Sequence, residues 1–278
     1  MRWHRRGSDA MDVRNKRIVL TGAAGGLGLI LSTILMAKGA RLCRLVRDPQ
    51  KDDFSLSGQG EQNPSVLTLA CDVTQAADRE RVKQHLEQTW GGVDVLINLA
   101  GVMDFTPFQD QDPEMLHRMI QVNLEAPMQL TRTLLPGMLD QGSGWVVNVG
   151  SMFGSIGFPF FSSYCATKFA LRGYSQALRR ELAAQGIGVT YVAPRAIRTP
   201  FNPPVVHEMA AIGMMHMDEP EPIAQAIVRA LERERKECYL GSPERFFARI
   251  NALFPALLDM ALAKQTAILG RYAAKTAK

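Results

Sequence analysis

The sequence predicts an α/β fold in which a parallel sheet is covered by helices on both faces. Three observations predict it. Short apolar runs rich in β-branched residues recur along the chain, and most are followed by a stretch with helical spacing, the pattern of a βα-repeating fold. These runs are apolar throughout rather than alternating with polar residues, as strands buried on both faces require. The first run passes directly into a glycine-rich turn, TGAAGGLG (21–28), that opens a helix.

Taken in order, RIVLT (17–21) is the first strand, and a helix follows over 27–38. RLCRLV (41–46) is the second strand. The segment 48–64 is polar and rich in turn formers, so a loop is expected where a further crossover helix could stand. VLTLA (66–70) precedes a helix over 74–90, and VDVLIN (93–98) precedes one or two helices over about 113–139. WVVNV (145–149) leads to a long helix over about 162–185, and GVTYVA (188–193) follows it. Residues 195–220 mix prolines with Met209, Met214, Met215 and Met217 without a clear period and read as an irregular flap. A helix over about 221–233, a strand over 237–240 and an amphipathic tail over about 243–278 complete the chain.

With 278 residues and 46% hydrophobic content the chain can bury a full core, and one domain over 15–278 is expected. The 32 Lys and Arg against 27 Asp and Glu give a formal charge of +5, but Arg2, Arg5, Arg6 and Arg14 lie in the first 14 residues. Residues 1–14 read as a flexible extension; the near-neutral remainder argues against a nucleic-acid partner. Cys43, Cys71, Cys165 and Cys238 are scattered, without a CxxC pair, and His207 and His216 read as surface residues. Reduced thiols, no metal and a cytoplasmic location are therefore expected. No apolar run approaches the ~18–20 residues of a membrane span.

In the glycine turn, Gly22 suits a tight bend, while Gly26 and Gly28 would let backbone and a pyrophosphate approach where a Cβ would clash. The helix N-terminus then offers free N–H groups and its positive dipole end to phosphates. In YCATK (164–168), Tyr164 and Lys168 share one helix face at i and i+4. An ammonium near a phenol favours the phenolate. Bringing a tyrosine from about 10 to about 7 takes roughly 4 kcal/mol, so a cationic ring beside it is a reasonable second contributor. Such a phenol can protonate a carbonyl oxygen as hydride reaches its carbon. Ser151, at the carboxyl end of the fifth strand, can donate to the same oxygen.

The TGxxxGxG spacing is followed in order by Asp72 in CDVT, NLAG (98–101), Asn123 in QVNL, Ser151 and YCATK. Over residues 16 to about 200 the chain thus resembles the classical short-chain dehydrogenase/reductase family. The resemblance implies a doubly wound, Rossmann-type sheet of seven parallel strands in the order 3-2-1-4-5-6-7. It also implies a tetrad in which Asn123 holds a proton-relay water and Ser151 orients the carbonyl. Tyr164 would transfer the proton, and Lys168 would lower its pKa and bond the nicotinamide ribose.

Cofactor contacts are implied for Gly22, Ala24, Gly26, Leu27 and Gly28, for Arg47, Asp72 and Val73, and for Asn98, Ala100 and Gly101. Tyr164, Lys168, Pro194, Ile197 and Thr199 complete that set. Val46 stands where NAD-specific members carry an acid, and Arg47 where NADP-preferring members meet the 2′-phosphate, so NADP(H) is expected before NAD(H). Asp48, 20 residues beyond Gly28, and the non-basic Gly25 argue the other way. Two departures stand out: Leu99 replaces a common Asn, and Arg195 replaces the glycine of a Pro-Gly pair.

Met103, Phe105, Met152, Phe153, Phe158, Phe160 and Phe161, with the flap methionines and Arg195, are the expected substrate wall, suited to a hydrophobic ketone or secondary alcohol. The family's habit implies a homodimer or homotetramer. Two other readings stay open: a catalytically silent cofactor-binding scaffold, and a peripheral membrane protein acting through its tail.

Overall fold

Successive side chains of a strand point to opposite faces of its sheet, and in this chain both faces are apolar. The computed structural model describes residues 11–52, 54 and 64–276. Its elements run β1 (Arg17–Thr21), α1 (Gly26–Ala37), β2 (Arg41–Val46), β3 (Val66–Ala70), α2 (Ala76–Trp90) and β4 (Val95–Asn98). They continue with α3 (Pro113–Ile120), α4 (Ala126–Asp140), β5 (Gly144–Val149), α5 (Ser162–Glu181), β6 (Ile187–Ala193) and β7 (Ala196–Ile197). The last are α6 (Pro204–Ala211), β8 (Met217–Asp218), α7 (Pro220–Glu232), β9 (Glu237–Tyr239), α8 (Ser242–Leu253) and α9 (Pro255–Thr276).

Seven parallel strands form the main sheet in the order β3-β2-β1-β4-β5-β6-β9. This is the order expected, with β9 as the seventh strand. Ile18 and Leu20 of β1 pack with Leu31 and Leu35 of α1 and with Ile223, Ile227 and Leu231 of α7. Val19 joins the opposite layer, with Val82 and Leu86 of α2, Leu130 and Leu134 of α4, and Leu178 of α5. β1 pairs with β2 on one side and β4 on the other. The winding reverses at that point, leaving a crevice at the carboxyl ends of the strands.

Several elements differ from expectation. The flap contains α6 and a two-stranded parallel pair of β7 and β8. With 8 residues in α6 and 2 in each strand, no period has room to show. Val205, Val206 and Met209 nevertheless form its buried face. The helical stretch after β4 is broken at Gln121–Glu125 by a π turn. Pro127 has no N–H to give the Asn123 carbonyl four residues earlier, so the α-helical ladder cannot run through. Instead the Ala126 N–H reaches back to the Gln121 carbonyl.

The tail is two helices. The expected extension over 1–14 lies outside the described residues as far as residue 10. From there the chain is docked: the Met11 N–H donates to the Glu232 carbonyl at 2.7 Å and Val13 is buried against the α1–α7 layer. Of the loop expected over 48–64, residues 53 and 55–63 lie outside the described residues.

Candidate active site

A cleft of about 1160 Å³ opens at the crevice where the winding reverses. Its floor is the glycine turn. Gly22 has φ +67°, and a Cβ there would stand 2.9 Å from the Ala100 backbone. The Thr21 hydroxyl explains the close approach, since it accepts from the N–H groups of both Leu99 and Ala100 at 3.0 Å. A Cβ on Gly28 would lie 2.2 Å from the Gly22 carbonyl oxygen, and one on Gly26 would lie 3.1 Å from Thr199 Cγ2. Both glycines also leave room for the protein's own close contacts, which a Cβ would break. The N-terminus of α1 has no side-chain cap and no acidic residue in its first turn. Its free N–H groups line the cleft together with Ala24 and Leu27.

At one end, Arg47 lines the cleft and is exposed. Asp48 is engaged elsewhere: its carboxylate accepts from the Gln50 N–H at 3.1 Å and lies 3.5 Å from Lys51 Nζ. Asp72 and Val73 also line the cleft, and the Asp72 carboxylate accepts from the Thr74 N–H and hydroxyl. Ala100 and Gly101 lie opposite. The Asn98 side chain turns away from them. Its amide turns into the sheet, donating to Asn148 Oδ1 at 2.9 Å, and Asn148 in turn donates to Ser175. The alternation of β4 aims that side chain at the α4–α5 layer, beneath the cleft.

Tyr164, Ser151 and Lys168 meet in the middle of the cleft and are all buried. Lys168 Nζ donates to the Val149 carbonyl at 3.4 Å and lies 5.6 Å from the centre of the Tyr164 ring. Phe153, Phe161 and Phe201 surround that ring with centroids 6.4–6.5 Å away. Burial pushes the Tyr164 phenol above its ordinary range, and a hydrogen bond with Ser151 opposes that shift. Burial brings the Lys168 ammonium down to about 8. Expectation assigned the phenol's acidity to Lys168. Lysine and tyrosine each lose hydration in the same enclosure, and Ser151 is the neighbour whose hydrogen bond favours the ionised phenol.

Asn123 is buried behind the cleft. Its amide accepts from the Val102 N–H and donates to the Val102 carbonyl, both at 2.8 Å, and donates to the Thr167 hydroxyl at 3.2 Å. It thereby joins the loop after β4 to the helix carrying Tyr164.

Tyr191 escaped sequence reasoning. From β6 its hydroxyl donates to the Ser151 carbonyl at 3.2 Å, beneath that serine. Gly150 and Gly154 are the signal for it, since a Cβ on either would come within 2.3 Å of the Tyr191 side chain.

At the far end Met103, Met152, Phe153, Phe158, Phe161, Met214 and Met215 line the cleft, with Pro194, Ile197 and Thr199 along the flap side. Phe105 and Met209 lie behind this wall, fully buried, and Met217 is buried in the flap. Arg195 lines the cleft with its guanidinium engaged by the Asp218 carboxylate, at 2.5 Å and 3.0 Å. The residue that replaces glycine thus clasps β7 to β8.

Residues 16–210 match the family model for short chain dehydrogenase. The chain belongs to the short chain dehydrogenase family. Among its relatives is the uncharacterized oxidoreductase YxnA of Bacillus subtilis, 30% identical over 91% of this chain and 72% of that protein. Another is dehydrogenase/reductase SDR family member 7B of Bos taurus, 32% identical over 91% of this chain and 82% of its own. A short chain dehydrogenase of Burkholderia cenocepacia, solved in complex with NADP, superposes with a TM-score of 0.76 at 25% identity, covering 91% of this chain and 99% of the other. A Streptomyces avermitilis member superposes at 0.75 with 28% identity, over 91% and 97%. This family member is accordingly an oxidoreductase that binds a nicotinamide dinucleotide.

Proposed function

We propose that the chain interconverts a hydrophobic ketone and its secondary alcohol, with NADP(H) preferred. The observation that carries this reading is the convergence of Tyr164, Ser151 and Lys168 in one cleft beside an uncapped glycine-turn helix. The cradle fits a dinucleotide: the α1 N–H groups would hold its pyrophosphate, Arg47 the ribose 2′-phosphate, and Lys168 the nicotinamide ribose. When bound, the cofactor supplies or accepts the hydride.

Tyr164 donates its proton to the carbonyl oxygen, and Ser151 donates a second hydrogen bond that fixes that oxygen and stabilises its developing charge. Lys168, with its pKa near the working range, restores the proton. Asn123 and the carbonyl that Pro127 cannot serve would hold the relay water. The apolar wall excludes solvent and selects an apolar substrate. The supporting contrast is that Arg195, which lines the cleft, is already paired with Asp218. Exposed Met128 and Phe169, on α4 and α5, favour a homo-oligomer joined through these helices.

The test is NADPH oxidation over a panel of hydrophobic ketones. Tyr164→Phe is expected to lower kcat by about 10²–10⁴ while NADPH still binds. Tight NADPH binding without turnover of any ketone by the parent would leave a scaffold instead. Arg47→Ala is expected to raise KM for NADPH roughly tenfold and leave KM for NADH unchanged. Equal changes for both cofactors would remove the assigned preference.

A further inference from the structure

We propose that the outer face of α8 and α9 docks on the surface of an anionic membrane. Both helices are held by their inner sides. Ala248, Leu258 and Leu262 pack on Met152, Ile156 and Tyr191, while Leu269 and Ala273 join the cluster of Phe161 and Tyr164. The outer side is apolar and uncovered: Phe246 is 62% exposed, Leu253 72%, Phe254 61% and Met260 70%. Large apolar side chains concentrated on one surface mark an interaction site rather than ordinary surface scatter.

The distribution of charge selects the occupant. At 100° per residue, Phe246, Arg249 and Leu253 share one side of α8, at i, i+3 and i+7. Leu257, Met260, Ile268 and Arg271 share one sector of α9, and Asp259 falls about 140° from the middle of it. The face is therefore apolar and cationic, without a carboxylate. A second copy meeting it symmetrically would set arginine against arginine with no acid to pair them, a costly burial. Lipid tails take the apolar side chains and anionic headgroups take the arginines.

A sharp bend joins the two helices. α8 and α9 meet at 115°, with Leu253 and Phe254 at the apex. No single helix among the described residues is long and apolar enough to cross a membrane; the bent pair has the length and composition of a broken span, but its inner side is packed on the fold, which places it on the bilayer surface. This surface stands apart from the reaction proposed above, and its test uses no turnover.

The experiment is flotation of the full-length protein with vesicles of phosphatidylcholine containing phosphatidylglycerol, and with vesicles of phosphatidylcholine alone. Binding is expected only with the anionic lipid, and it should weaken as salt is raised. The double variant Leu253→Glu, Phe254→Glu is expected to lose at least tenfold in vesicle affinity while its circular dichroism and melting temperature stay those of the parent. Three results would each overturn the proposal: no flotation, equal flotation on neutral vesicles, or flotation that survives the double substitution. A parent that is a larger oligomer than the double variant by light scattering would assign the face to a second copy and overturn it equally.

Discussion

Replacing Lys168 with methionine is expected to lower turnover by about 10²–10⁴ and, at the same time, to raise the melting temperature of the protein measured without added cofactor. Lys168 is buried to 3% exposure, and its one hydrogen bond among the described residues is a 3.4 Å contact with the Val149 carbonyl. Its pKa falls from 10.5 to about 8 through loss of hydration. At 1.36 kcal/mol per unit, that burial costs folding roughly 3 kcal/mol. The cost is fully present below pH 8, where lysine is charged in both the folded and the unfolded chain. Between 8 and 10.5 the unfolded chain binds the extra proton, so this contribution to stability improves as pH rises.

A methionine of similar length carries no such cost. The stability gain of Lys168→Met should therefore amount to several degrees at pH 7 and shrink steadily toward pH 10.5. Thermal melts of the two proteins across that range check the sign. A variant less stable than the parent at pH 7, or one retaining turnover within tenfold, would refute the argument. The stability lost to this lysine is the physical mark of a group kept for its chemistry.

The second large effect belongs to a residue outside the cleft. Arg44→Met is expected to destabilise the protein by about 3–5 kcal/mol, and Arg44→Met with Asp52→Leu to recover most of that loss. Arg44 and Asp52 are fully buried side chains joined at 2.5 Å and 3.0 Å, and Phe54 lies 3.9 Å above the guanidinium. Removing the arginine alone takes the cationic partner from a buried carboxylate. Removing both leaves an apolar contact.

The pair also positions the site. Arg44 Nη2 donates to the Ala23 carbonyl at 3.0 Å, inside the glycine turn, and Nε donates to Ser32 of α1 at 3.1 Å. The double variant should thus regain stability yet keep a raised KM for NADPH with kcat unchanged, a split that a purely structural pair would not produce. Urea melts and steady-state kinetics on the three proteins check both halves. A double variant as unstable as the single one would sink the energetic part, and an unchanged KM the positioning part.

These residues also show where reading the chain succeeds. RIVLT, VDVLIN and WVVNV announced strands buried on both faces, and TGAAGGLG announced the turn, because each property is local to a few adjacent residues. YCATK placed Tyr164 and Lys168 on one face by helix geometry alone. Arg44 was hidden inside the apolar run RLCRLV, and its partner lies 8 residues later in a stretch that reads as loop. Asn98 was visible as part of NLAG, but the direction of its side chain depends on Asn148 across the sheet.

By itself, then, the sequence determined the order of strands and helices, the glycine turn and the identity of the candidate acid–base group. Each follows from periodicity, from glycine's missing Cβ or from spacing along one helix. Only the tertiary structure decided that Gly28 yields to the loop's own carbonyl, that Tyr191 supports Ser151 from below, and that Arg195 is clasped by Asp218. It alone revealed that burial sets the pKa values of Tyr164 and Lys168, and that one face of α8 and α9 stays uncovered. The physical reason is the same throughout: desolvation and close contact depend on atoms tens of residues apart, and only folding brings those together.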